Sequence, residues 1–360
     1  MTTPLPHFKK DRTAATFYQT ASYLRYWDGT NLLCEHKLKP TSCVTCRSTP
    51  VREESPALAS EPAVATALTP GGWAPLRLPT TKDVVIVGLA SREVGKRFLL
   101  SHRLAGGSFG EVYVGSYVAT NERVAIKIEK RTLKTPMLLN EYNLYHRLPR
   151  AVGIPQVYWC GSNKHLHFMA MELLGATLKA PCAVLRVSNY AQQMLTRLEY
   201  LHSHGYIHRD LKPENFVLGV PHTATANTVY LLDFGLVKRY LDEQGRHIPL
   251  SRKEGIVGTP RYISTAVENK YESSRRDDLE SLAYVLVYLI KGKLPWQNLK
   301  APVGRKREMV TGLKTNTTAE ELCVDLPEGY TTYLKYCRGL TFTETPNYDQ
   351  CRSYFCSKEV

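Results

Sequence analysis

The stretch that most constrains this chain is Tyr206-Ile207-His208-Arg209-Asp210-Leu211-Lys212-Pro213-Glu214-Asn215. Pro213 lacks an amide hydrogen and its ring collides with a preceding helical turn, so no continuous helix passes through it. The segment must be a loop, and loops held on a rigid scaffold are where reactive groups collect. Within it, Asp210 is followed at two residues by Lys212 and at five by Asn215. A carboxylate can accept a proton, an ammonium can neutralise moving negative charge, and an amide oxygen can ligate a hard cation. A helix end with a polar turn accounts for His-Arg-Asp alone. The complete spacing is more specific, and its meaning depends on companion motifs elsewhere in the chain.

Those companions occur in order. Leu104-Ala105-Gly106-Gly107-Ser108-Phe109-Gly110-Glu111-Val112 suggests strand, glycine turn, strand. Gly107 and Gly110, without a Cβ, allow backbone amides to approach phosphate oxygens, and Ala105 stands where the first glycine of such a turn would be. Val124-Ala125-Ile126-Lys127 places a lysine in an apolar strand. Such a lysine either snorkels or grips phosphates, and the second use needs an acidic partner. The helical pattern from Met137 to Leu148 offers Glu141, flanked by Leu138, Tyr142 and Tyr145. An apolar strand from Phe168 ends in Met171-Glu172-Leu173-Leu174-Gly175, equally a core strand with a turn or the back of a nucleotide pocket. Val187 to His204 carries Tyr190, Met194, Leu198 and Leu201 on one helical stripe. Two further strands, 216–218 and 228–232, lead to Asp233-Phe234-Gly235, a carboxylate suited to a magnesium clamp across phosphates, 23 residues beyond Asp210.

Composition narrows the class. A chain of 360 residues with 43% hydrophobic and 22% charged residues has the make-up of a globular protein with a substantial core. The longest apolar run, Leu282 to Ile290, is short of the ~18 residues that span a bilayer, and implies a buried helix. The first residues carry no apolar stretch of the secretory type, and nine scattered cysteines do not form a disulfide framework. Reduced thiols in the cytoplasm and/or nucleus are the expectation. Net charge is +14, and residues 245–310 hold 13 Lys or Arg against 7 Asp or Glu, an excess of +6 downstream of the Asp210 loop. The basic balance lacks the interleaved aromatic and recognition motifs of a nucleic-acid module, so no nucleic-acid partner is expected. From Ser48 to Thr81 the chain is rich in Pro, Ala, Ser, Thr and Glu without periodicity, which suggests a disordered arm. Cys34, His36, Cys43 and Cys46 are either free thiols and an imidazole or a zinc knuckle of unusual spacing.

With these motifs in place, the sequence resembles the casein kinase 1 family of serine/threonine protein kinases. The resemblance runs from about Val94 to Phe355. It is carried by Gly153-Ile154-Pro155, Met171 to Gly175, His247-Ile248-Pro249, Gly258-Thr259-Pro260-Arg261-Tyr262, Ser274-Arg275-Arg276-Asp277-Asp278-Leu279-Glu280-Ser281-Leu282 and Leu294-Pro295-Trp296-Gln297. The family's fold is α+β and two-lobed. The resemblance therefore implies a kinase domain over 94–360, and it leaves 1–93 as an N-terminal arm that its composition marks as largely disordered. The domain's small β-rich N-lobe would cover about 94–173 and its larger helical C-lobe about 174–360. It implies ATP and Mg2+, with Asp210, Lys212 and Asn215 as catalytic residues and Asn215 and Asp233 as metal ligands. Ala105, Gly107, Gly110, Val112, Ala125, Lys127, Glu141, Met171, Leu174 and Val217 would surround the nucleotide. Protein substrates that are acidic or already phosphorylated would meet a cationic pocket of Arg261, Lys306 and Arg307, although Arg305-Lys306-Arg307 is equally a solvated basic turn or nuclear-import signal. Asp278 would anchor the catalytic-loop backbone, and a monomer is expected.

Two departures stand out: Ala105 in the glycine turn, and Ser264-Thr265-Ala266 where the family generally has Ser-Ile-Asn. They motivate an alternative reading, a catalytically silent phosphoprotein-binding scaffold.

Overall fold

The computed structural model describes residues 92–107, 110–132, 136–300, 302 and 305–356, with three short strands nearer the N-terminus. These strands, β1 (Thr16–Thr20), β2 (Tyr23–Trp27) and β3 (Leu32–Leu33), form an antiparallel sheet in the unit Met1–Pro75. Their runs of aromatic and β-branched residues favour extended chain. The segment 48–81 and the set Cys34, His36, Cys43 and Cys46 lie outside the described residues.

The second unit, Leu76–Val360, begins with a six-stranded antiparallel sheet in the order β4-β5-β6-β7-β9-β8. Its strands are β4 (Glu93–Val94), β5 (Phe98–Gly107), β6 (Gly110–Tyr117), β7 (Arg123–Lys130), β8 (Val157–Ser162) and β9 (Leu166–Glu172). Helix α1 (Met137–Arg147) is inserted between β7 and β8. The expected strand–turn–strand therefore forms, with Gly107 opposite Gly110 and residues 108 and 109 outside the described set. One core of this unit gathers Phe98, Tyr113, Ile126, Ile128, Phe168 and Ala170 from the sheet. Alternation fails in β9, which is buried along nearly its whole length because side chains on both of its faces meet protein.

The remaining elements are mostly helical: α2 (Val184–Ser203), α3 (Thr265–Glu268), α4 (Arg275–Lys291), α5 (Lys306–Asn316), α6 (Ala319–Leu322), α7 (Glu328–Gly339) and α8 (Tyr348–Ser353). Two small two-stranded sheets are interspersed, β10 (Tyr206–Ile207) with β13 (Lys238–Arg239), and β11 (Phe216–Leu218) with β12 (Val229–Leu231). In α2 the buried stripe is Val187, Ala191, Met194, Leu195, Leu198 and Leu201, whereas Tyr190 is only half-buried. Helix α4 is buried on almost every side. Its start is fastened by a capping box, in which Ser274 and Asp277 satisfy each other's backbone amides, and its end by Gly292 at φ 73°. None of the helices among the described residues is long and apolar enough to cross a membrane.

Candidate active site

Strand β7 delivers Lys127 and helix α1 delivers Glu141. The Lys127 Nζ donates to Glu141 Oε2 at 2.6 Å and to Asp233 Oδ1 at 2.8 Å. Glu141 is held at the sheet by its neighbours Leu138 and Tyr145, both buried, while Tyr142 is half-buried. Burial alone would discharge the lysine, but the two carboxylates outweigh it and hold the ammonium above its ordinary value. For Asp233, burial acts upward and Lys127 overrides it, drawing the carboxyl down to about 2.

Asp233 follows β12 and has a left-handed backbone, φ 66° and ψ 68°, which turns the chain into a 3-10 turn at Phe234–Leu236. The Phe234 ring lies 4.8 Å from Tyr145 of α1 and 5.7 Å from His208, centre to centre. The aromatic column thus joins the helix bearing Glu141, the turn bearing Asp233 and the loop bearing Asp210.

That loop is held from below. Asp278, in the first turn of α4, accepts the amides of His208 at 2.7 Å and Arg209 at 2.9 Å, and lies 2.8 Å from His202 Nε2. Burial would raise this carboxyl, yet the hydrogen bonds and charge of His202 and the His208 contacts hold it below its ordinary value. The anchor permits the strained turn at Arg209, φ 68°, whose Nε donates to Leu236 O at 2.7 Å. Asp210, 5% exposed, then accepts Lys212 Nζ at 2.6 Å on one oxygen and Thr259 Oγ1 at 2.6 Å on the other. Asn215 Nδ2 donates to Asp210 O at 2.9 Å, and its amide oxygen has no protein partner among the described residues. Lys212 Nζ also lies 3.9 Å from Asp233 Oδ2. Five side chains from four regions, Lys127, Glu141, Asp210, Lys212 and Asp233, are therefore linked in one continuous charged network.

The donor set fits magnesium. Asp233 and Asn215 present oxygen ligands only, which suits a small hard cation that keeps part of its shell for water and phosphate. The described residues contain no group of three or more His, Cys, Asp or Glu that could hold a metal alone. Beside this network, Ala125 pairs with Met171 across β7 and β9, and Val112 pairs with Lys127 across β6 and β7. Val217 bridges to Thr177 and Gly175 N donates to Leu218 O at 2.8 Å, so the segment after β9 lies against β11. Ala125, Met171 and Val217 are buried, and Val112 and Leu174 half-buried. A Cβ at Gly110 would stand 2.2 Å from Ile128 O, so the close approach of β6 to β7 there requires glycine. The Ala105 methyl is exposed.

The three basic residues expected to form an anion pocket differ in setting. The Arg261 guanidinium lies over the rings of Tyr262 and Tyr288, at 5.7 and 5.8 Å, and its carbonyl accepts Trp296 Nε1 at 2.8 Å. Arg307 faces a carboxylate of its own chain, Glu268, at 3.7 Å, and Lys306 is exposed, without an ion pair among the described residues. Behind them Lys314, fully buried on α5, donates to Pro260 O at 2.5 Å, Ile263 O at 3.0 Å and Glu268 Oε2 at 3.1 Å. The segment around Ser264-Thr265-Ala266 is well braced: Ser264 caps α3, and the Thr265 amide and hydroxyl both donate to Glu280 at 3.0 Å.

Several of these groups had no assigned role in the sequence reading. Thr259 lay in the quoted Gly-Thr-Pro run, but nothing there brought its hydroxyl to Asp210, 49 residues earlier. Lys314 and Glu268 had none, since a lysine in a polar helix ordinarily faces water. A cavity of about 310 Å³ was also unannounced; Arg209, Lys238, Lys253 and Tyr271 line it, and Glu272 takes Lys238 at 2.8 Å and Lys253 at 2.6 Å.

A family model described as a protein kinase domain matches residues 98–331, from the start of β5 into the first turn of α7.

Proposed function

Because the chain belongs to the protein kinase family, we propose that it is a serine/threonine kinase of the casein kinase 1 type, moving the ATP γ-phosphoryl group onto protein hydroxyls. The observation that carries this reading is the Lys127–Asp233 contact of 2.8 Å, between residues 106 positions apart, continued through Lys212 to Asp210.

Lys127, kept charged by Glu141 and Asp233, grips the α- and β-phosphates of ATP. Asp233 and Asn215 would hold magnesium, which would supply positive charge against the β- and γ-phosphates. Asp210 orients the substrate hydroxyl and takes its proton as the hydroxyl oxygen bonds to the γ-phosphorus; the bond to the β-phosphate oxygen breaks and ADP leaves. Lys212 offsets the charge that builds on the phosphoryl oxygens, and Thr259 keeps the Asp210 carboxylate aimed. Val112, Ala125, Met171, Leu174 and Val217 enclose the adenine between a β-rich N-lobe (94–173) and a helical C-lobe (174–360), with Ala105, Gly107 and Gly110 in the turn above the phosphates. Arg261, fixed by Tyr262, Tyr288 and Trp296, favours acidic or phosphorylated substrates, and Arg307 and Lys306 add to its field. We place this activity in the cytoplasm and/or nucleus, in a monomer.

The test is Asp210→Asn in a radiolabelled-ATP assay on an acidic peptide. Transfer should fall by about 10²–10⁴-fold, the scale of a lost general base, with nucleotide binding retained. Equal rates in variant and parent overturn the assignment, and a parent that binds phosphopeptide but transfers nothing supports the scaffold alternative.

A further inference from the structure

Helix α1 begins without a cap of its own. Pro136 occupies the cap position, no side chain of the flanking residue accepts a hydrogen bond, and the first turn has no acidic residue. First-turn amides have no acceptor inside a helix and need one from outside. It is supplied by the neighbouring strand. Leu138 N donates to Glu129 Oε1 at 3.3 Å and to Oε2 at 3.2 Å, and the Met137 amide also faces this carboxylate.

Glu129 is 3% exposed, a rare setting for a carboxylate, and it forms no ion pair among the described residues. It sits on β7 opposite His167, whose ring contacts Ser162 Oγ at 2.6 Å. Burial pushes the Glu129 carboxyl up, against the pull of the α1 amides, His167 and Lys127. The positive end of the helix is the feature that suits a carboxylate to this place.

The spacing gives this contact its consequence. Glu129 is two residues beyond Lys127, on the same face of an alternating strand, and Leu138 is three residues before Glu141, on the same side of a helix. Strand and helix are therefore fastened at two points, Lys127 to Glu141 and Glu129 to Leu138. One ion pair between flexible side chains leaves a helix free to pivot about it; a second attachment one turn away removes that freedom.

We propose that Glu129 is a positioning residue that caps α1 from strand β7 and thereby fixes Glu141 against Lys127. The kinetic consequence rests on the kinase reading above, and the structural one does not.

The experiment uses the full chain as parent, Glu129→Ala and Glu129→Gln, with hydrogen exchange of the α1 amides in nucleotide-free protein and separate KM values for ATP and peptide. Loss of the cap in Glu129→Ala should speed exchange at Leu138–Tyr142 about tenfold and raise the KM for ATP by a similar factor, with the peptide KM unchanged. Glu129→Gln keeps an acceptor oxygen and should stay within about threefold of the parent on both readouts. If Glu129→Ala does not fold, Glu129→Met, close in volume and without an acceptor, replaces it. Unchanged exchange on removing the acceptor overturns the proposal, as does a Gln variant as damaged as Ala, or equal rises in both KM values. A parent without transfer activity defeats the kinase reading, and exchange alone then decides on Glu129.

Discussion

One ammonium serves two carboxylates at the site, and they do not share it equally. Lys127 draws Asp233 down to about 2, while Glu141 is pushed up to about 7, first by burial and further by the Asp233 charge, with Lys127 opposing. The folded Glu141 value lies above the reference of 4.5, so the folded chain binds this proton more tightly than the unfolded chain does. Its contribution to stability is complete below about pH 4.5 and is lost as pH rises through about 7. Glu141→Gln should flatten that part of the stability curve, measured by urea unfolding at a series of pH values. An unaltered slope would place the titration on another group.

Among the elements, α4 has the largest consequences for the site, because a single residue in its first turn carries the loop that holds Asp210. Asp278 satisfies the amides of His208 and Arg209 and meets His202, with Asp278, His202 and His208 buried and Arg209 half-buried. A buried donor left without an acceptor costs about 1–3 kcal/mol. Asp278→Ala should therefore lose on the order of 3–5 kcal/mol in denaturant unfolding, with transfer activity falling further than stability alone accounts for. Asp278→Asn, which keeps one acceptor oxygen, should fall between. Equal stability of the Ala variant and the parent would mean that Arg209 keeps its positive φ without this anchor.

At the scale of the molecule, Lys127, Asp233 and Asp210 belong to elements far apart in the chain, so a nucleotide gripped by all of them ties those elements together. A ligand at a hundred times its Kd stabilises the folded state by about 2.7 kcal/mol. Saturating ATP with magnesium should accordingly raise the melting temperature of the parent, read by calorimetry. Lys127→Met, which removes the cation but keeps an apolar stem of similar length, should abolish most of that rise. A full shift in the variant would put the nucleotide elsewhere.

Much of this was legible from residue order. Helix α1 was expected at Met137–Leu148 and is found at Met137–Arg147; the strand 216–218 is found at Phe216–Leu218. Local patterning reports such elements because periodicity and proline are properties of neighbouring residues. The motif order likewise named Lys127, Glu141, Asp210, Asn215 and Asp233, since each chemical type is fixed by the side chain itself. Tertiary structure alone decided the rest. Lys314 is buried beneath the Pro260–Ile263 segment, Arg307 faces Glu268, Thr259 reaches Asp210, and Glu129 caps a helix that begins eight residues later. These are meetings between polar groups distant in sequence or across a turn, and a charged side chain's partner depends on which backbone atoms and opposite charges folding brings within about 3 Å.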